Sequence, residues 1–254
     1  MRRTLWLVNA PMGPRGLKVT TTFHDFAIVT FAVEPERLAP LLPRGFDAEV
    51  FTLDDGSRRS FVSAVSLRNV AFGVKTLPRP WFTFAQINYR AYVRYRGERA
   101  VWFFGTMLGS PLAVAIPRYI WRLPWHAAEI TLVARWRGEL CETYALDARS
   151  HWGTATLRCT GTTEPMGRLD GFAGVDETRL VLTHPLRGYS RRRDGRIATY
   201  AVGHDRLAMT RANPQEARFS VFDDLDLRPG ARPHLVLLMR SARFIVELPP
   251  KTLD

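Results

Sequence analysis

Alternating apolar and polar positions, in short runs broken by Gly, Pro and Asp, dominate this chain. From Val19 to Val33 the run VTTTFHDFAIVTFAV is rich in β-branched and aromatic residues; it predicts a strand or two, ended by Glu34-Pro35. Pro35 to Leu42 predicts a short helix with proline at its first position, stopping before Pro43-Arg44-Gly45. Phe46 to Leu53 and Arg59 to Val70 predict a hairpin around Asp54-Asp55-Gly56-Ser57. A proline-rich loop follows at 77–81. The two clearest strands are Phe84 to Tyr95 and Ala100 to Met107, joined at Arg96-Gly97-Glu98.

Ser110 to Leu123 is the best helix candidate. Ser110 suits the cap, Pro111 the first turn, and Leu112, Ala115, Ile116, Tyr119 and Ile120 recur at helical spacing, with Pro117 expected to kink or split the segment. Strands are then expected from Ala128 to Arg137, Leu140 to Leu146 and Ala155 to Thr162. A small helix or loop is expected near 168–178, and further strands near 180–186, 196–204, 216–222 and 234–248. No repeat and no low-complexity linker divides the chain. The expectation is one α+β, β-rich domain over 1–254: a large curled antiparallel sheet or barrel-like core with a few short helices.

Composition changes this picture little. Apolar residues form 46% of 254, enough for a sizeable core. The formal net charge of +12 invites a nucleic-acid reading. Lysines occur only at Lys18, Lys75 and Lys251, and the arginines are scattered; the one dense cluster, Arg191, Arg192, Arg193 and Arg196, surrounds Asp194-Gly195 as a hairpin tip would. No nucleic-acid-binding motif accompanies the charge, which ranks that reading third. Cys141 and Cys159 lie in apolar runs and read as buried free thiols. The basic start is too short in apolar residues for a signal segment, and no run approaches a membrane span, so a cytoplasmic location is expected.

Chemistry is sparse. The histidines His24, His126, His151, His184, His204 and His234 show no metal-ligand spacing, and no metal is expected. There is no nucleophile elbow, phosphate-binding loop or dinucleotide fingerprint, so no cofactor is implied. Strand alternation places Gln86, Asn88, Arg90, Tyr92 and Arg94 on one face of their strand, opposite Ile87, Tyr89, Ala91 and Val93. That polar face either meets water or lines a cavity. The following strand, Val101 to Met107, is apolar on both faces and requires cover on both, which brings the cavity reading level with the solvent one. In a cavity Arg90 would meet a carboxylate, Gln86, Asn88 and Tyr92 would orient the ligand, and Trp102, Phe104 and Trp125 would supply apolar wall. His126, after Leu123-Pro124-Trp125 at a helix exit, is the candidate acid or base.

The runs Phe84 to Val93, Val101-Trp102-Phe103-Phe104, Ser110-Pro111-Leu112-Ala113 and Leu123-Pro124-Trp125 resemble an uncharacterised bacterial family of the acetoacetate decarboxylase-like superfamily. So do Val33 to Leu38, Leu42 to Phe46 and the ending from His234 to Pro250. The resemblance implies a curled sheet, a central cavity and self-association. It also implies a Schiff-base lysine in true decarboxylases, placed after a glycine–aromatic–proline turn. Trp125 and His126 stand at that place here, and Gln86 stands where an acidic residue is usual. A lyase, isomerase, hydratase or cyclase acting without covalent catalysis on a small carboxylate or keto compound is therefore the leading expectation. A non-catalytic small-molecule binding protein comes second.

Overall fold

The computed structural model describes residues 17–74, 82–184, 187–204 and 206–253; the expected proline-rich loop lies outside them, as does most of the N-terminal lead-in. The elements are β1 (Leu17–Val33), α1 (Pro35–Leu38) continued by a 3-10 turn (Ala39–Leu41), β2 (Phe46–Ala48), β3 (Val50–Thr52), β4 (Arg58–Val74), β5 (Phe82–Tyr95) and β6 (Glu98–Leu108). Then come α2 (Pro111–Ala115) with a π-helical turn (Ile116–Ile120), β7 (Trp125–Ala127), β8 (Glu129–Arg137), β9 (Leu140–Ser150) and β10 (Gly153–Pro165). The chain ends with α3 (Val175–Thr183), β11 (Arg187–Arg191), β12 (Ile197–His204), β13 (Thr210–Phe219), α4 (Ser220–Asp224), β14 (Leu235–Leu248) and β15 (Lys251–Thr252).

The fifteen strands among the described residues belong to one sheet. Its central part runs β14-β1-β4-β5-β6-β11-β12, and β12 pairs back onto β14 to close a ring of these seven strands. Neighbours in the ring are antiparallel except β6 and β11, which run parallel through Gly188↔Val101 to Ser190↔Phe103. Beyond β14 the sheet continues through β13, β10, β9 and β8. Only Thr210↔Leu238 and Arg211↔Leu237 join β13 to β14, so the sheet bends there and folds back over the outer face of the ring.

Two cores follow from strand alternation. On β5, Ile87, Tyr89, Ala91 and Val93 point outward and pack with Leu132, Tyr144, Leu146, Leu157 and Phe219 of the covering strands. The other face of the ring is lined by Phe26, Ile28, Val65, Leu67, Val101, Phe103 and Phe244, with Val181 and Leu182 of α3 packed against them. Each large apolar side chain buried in this way contributes roughly 1.5–3 kcal/mol. Among the described residues no helix is long and apolar enough to cross a membrane.

Several expected elements change. The predicted strand from Phe46 breaks at Glu49: β2 pairs with β5, and β3 pairs with β4 in the expected hairpin. Glu49 is buried, its carboxylate gripped by Arg94 at 2.8 Å and Arg99 at 2.6 Å. The helix expected to Leu123 stops at Ala115, because Pro117 supplies no amide hydrogen and forces the wider turn; Leu112, Tyr119 and Ile120 are largely exposed, not a buried stripe. The strand expected near 180–186 is instead the last turn of α3, where Thr178, Val181 and Leu182 bury one helical face. Likewise 216–222 splits between β13 and α4. The arginine-rich tip does join β11 to β12, with Arg191 opposite Ile197.

One close approach fixes the wall. Between Tyr89↔Gly105 and Arg90↔Phe103 the β5–β6 register shifts, and Gly105 packs under Trp152 and the Pro124 carbonyl. A Cβ there would stand 2.6 Å from the Trp152 ring and 2.9 Å from the Pro124 oxygen. Replacing Gly105 by Ala is expected to cost about 1–3 kcal/mol of unfolding free energy in a denaturant titration. A Gly105→Ala protein as stable as wild type would show that this packing is not tight.

Candidate functional site

Inside the ring lies a cavity of about 130 Å³. Its polar wall is the inward face of β5: Gln86, Asn88 and Arg90 all line it, beside Asn69 of β4 and Thr21 of β1. In the order of the seven strands, β12 and β14 stand across from β5, and they contribute Tyr200, Val202, His204, Phe244 and Val246. The end of α3 adds Leu182 and Thr183, and the approach to β7 adds Leu123 and Trp125.

Arg90 is the only charged side chain among the described lining residues. It is 8% exposed and forms no ion pair with any described carboxylate. Its Nη2 donates to the Leu182 carbonyl at 2.8 Å and to the Tyr92 hydroxyl at 3.3 Å, while its buried Nε has no partner. Leu182 lies in the last turn of α3, where helix carbonyls carry partial negative charge. Such neutral dipoles position a guanidinium but do not neutralise it. A buried cation of this kind costs several kcal/mol unless an anion joins it.

The amides beside it form an ordered chain. Asn69 Nδ2 donates to Gln86 Oε1 at 2.8 Å, Gln86 Nε2 donates to Asn88 Oδ1 at 2.7 Å, and Thr106 Oγ1 donates to the same Oδ1 at 2.9 Å. With Oδ1 occupied twice, Asn88 offers only its Nδ2 hydrogens to the cavity. Across from it, burial pushes the Tyr200 phenol well above its ordinary pKa despite the opposing field of Arg90, so it stays a hydroxyl donor. The wall around Arg90 is thus rich in donors.

The expected residues distribute unevenly. Gln86, Asn88, Arg90 and Trp125 line the cavity. Tyr92 does not; it stands behind Arg90, its hydroxyl 2.8 Å from Ser63 Oγ, which in turn lies 2.8 Å from Thr30 Oγ1. Trp102 and Phe104 face the outer core, and their neighbours Val101 and Phe103 take the cavity side. His126 is corrected most plainly. In β7, Trp125 is level with Thr106 and His126 with Met107, so alternation turns His126 away from the cavity. It stacks on Trp152 at 4.4 Å, with Nδ1 3.1 Å from His151 Nε2.

His204, missed in the sequence, does line the cavity; its ring lies 4.9 Å from His184 and 4.8 Å from Phe244. The only signal was alternation in β12, which places Tyr200, Val202 and His204 on one face. No group of three or more metal-ligating side chains occurs among the described residues. Nor does any lysine line the cavity among them; the side chains of Lys18 and Lys75 lie outside the described residues, and Lys251 is exposed.

The sequence matches the family model DUF2071, described as an uncharacterized conserved protein, over residues 20–243. No curated protein matches it. Among solved structures, it is similar to an acetoacetate decarboxylase from Legionella pneumophila subsp. pneumophila str. Philadelphia 1, with TM-score 0.59, 12% identity and coverage of 100% of this chain and 98% of that one. It is also similar to an acetoacetate decarboxylase-like enzyme from Sphingomonas wittichii RW1, with TM-score 0.63, 11% identity and 96% and 98% coverage. The enduracididine biosynthesis enzyme MppR, solved with the condensation product of pyruvate and imidazole 4-carboxaldehyde, gives TM-score 0.56, 10% identity and 97% and 92% coverage. The fold is therefore acetoacetate decarboxylase-like.

Burial, with the neighbouring His151 and then Arg118 and Arg193, lowers the pKa of His126 to about 4; burial, with His204 next, lowers that of His184 to about 4 as well. Both fall below the ordinary 6.5 that applies when the chain unfolds. Below that value the unfolded state binds more protons, so these residues lend stability that is complete above pH 6.5 and lost as the pH falls towards 4. Denaturation midpoints are expected to fall across that window, and less steeply in a His126→Gln, His184→Gln double variant. An unchanged slope in that variant would remove these residues from the acid response.

Proposed function

The chain belongs to the DUF2071 family, and we propose that its cavity holds a small keto acid by the carboxylate and catalyses proton transfer beside the keto group without a covalent lysine adduct. The observation that carries this reading is Arg90: one buried guanidinium, with an unpartnered Nε, in a lining with no carboxylate among its described residues. A carboxylate supplies the missing charge and accepts charge-assisted hydrogen bonds. A structural neighbour, MppR, is solved with pyruvate, which supports a keto acid as the ligand class.

The chemistry follows from the donors. With the carboxylate on Arg90, the keto oxygen lies among groups that donate, Asn88 Nδ2 and the Tyr200 hydroxyl. These favour the keto oxygen most when it carries negative charge. His204, on the opposing strand, is the base. Its imidazole takes a proton from the carbon next to the carbonyl. The C–H electron pair forms the carbon–carbon double bond, and the carbonyl π pair moves onto oxygen as an enolate. Return of a proton from the imidazolium to carbon completes an exchange with solvent. Of His126 and His204, it is His204 that lines the cavity.

Pyruvate tests both halves. Arg90→Ala is expected to weaken its binding by at least about 30-fold in calorimetry, the usual cost of removing one partner of a buried charge pair. In heavy water, the wild-type protein is expected to wash deuterium into the methyl group, followed by proton NMR. His204→Asn should slow this about 100-fold while leaving binding within a few-fold. Equal binding by Arg90→Ala would refute the carboxylate site. Binding through Arg90 with no exchange above buffer would make the cavity a binding site and not an active site.

A further inference from the structure

We infer that the natural ligand is a monocarboxylate with one apolar tail the size of a single aromatic ring or a branched chain of about four to six carbons, the tail lying against β12 and β14. This rests on the carboxylate reading of Arg90 and adds the substrate class. The lining divides in two. Charge and amides are confined to β5 and the strand edges beside it, whereas across the ring stand Val202 and Val246, paired in register, and Phe244.

Phe244 is held as part of an aromatic cluster. Its ring stacks on Phe23 at 4.1 Å, meets Phe26 edge-on at 5.9 Å and lies 4.8 Å from His204. That cluster presents a fixed apolar surface on the far side from Arg90; the polar groups on that wall, the His204 imidazole and the Tyr200 hydroxyl, are taken up with the keto group and its neighbouring carbon and offer no second fixed cation. Diacids and phosphorylated acids have no counter-charge there, and burying a bare anionic end against these rings is costly. Apolar tails lose nothing and remove water from the rings.

Size sets the tail. An apolar cavity of about 150 Å³ accommodates benzene, and this one is about 130 Å³. The cavity is only partly enclosed, which leaves a keto-acid head room beside a tail of that size, and a bare three-carbon acid leaves the aromatic side uncovered.

The test is a ligand series by calorimetry with the whole chain: pyruvate, α-ketoisocaproate and phenylpyruvate. Affinity is expected to rise along the series, with phenylpyruvate at least about 30-fold tighter than pyruvate. Arg90→Ala should weaken binding of all three by at least about 30-fold. Val246→Phe, its fold checked by circular dichroism, should erase the gain of phenylpyruvate over pyruvate. Pyruvate bound as tightly as phenylpyruvate by the wild type, with both weakened in Arg90→Ala, would overturn the tail and leave the carboxylate reading intact. Affinities that ignore Arg90 throughout would overturn both. The wild-type series decides the question even if Val246→Phe fails to fold.

Discussion

Three backbone pairings, Val202↔Val246, Gly203↔Ile245 and His204↔Phe244, turn a long sheet into a ring. Everything at the site depends on that closure. It sets β12 and β14 across from β5, so that side chains more than a hundred residues apart in sequence share one interior. It also removes the free edges of the strands involved, where unpaired backbone groups would otherwise need solvent. The remaining strands, β13, β10, β9 and β8, then have one apolar surface to cover, the outside of the ring. Interior and exterior are thus assigned by the same alternation along each strand.

Electrostatics gives the interior its direction. A guanidinium held by one helix carbonyl and one tyrosine hydroxyl is fixed in place yet lacks a counter-ion among the described residues. Contrast Glu49, equally buried, whose charge is met by two arginines. The second arrangement is a finished structural ion pair. The first has room for a ligand. Beside it, the chain of amides from Asn69 through Gln86 to Asn88 directs donors into the cavity and absorbs acceptors within the wall. An anionic oxygen is the species such a wall favours.

Much of the strand pattern could be read from residues alone, because a period of two survives whatever the sheet does. Alternation puts Gln86, Asn88 and Arg90 on one face, and they share the cavity. The opposite choice for Trp102 and Phe104 shows the limit: where both faces of β6 are apolar, alternation separates the faces but does not say which is inward. His126 failed for a related reason, since β7 has only three residues and offers no pattern to orient it. His204, Tyr200 and Phe244 were out of reach because ring closure, and no local signal, brings them opposite Arg90. Pro117 foretold a break in its helix but not that the apolar residues beyond it would stay exposed.

The most direct measurement of the central claim is a crystal structure of the protein grown with phenylpyruvate. The account predicts the carboxylate within about 3 Å of an Arg90 Nη, the distance of a charge-assisted hydrogen bond, with the ring against Phe244. Density for the acid elsewhere, with Arg90 still bound only to Leu182 and Tyr92, would contradict it.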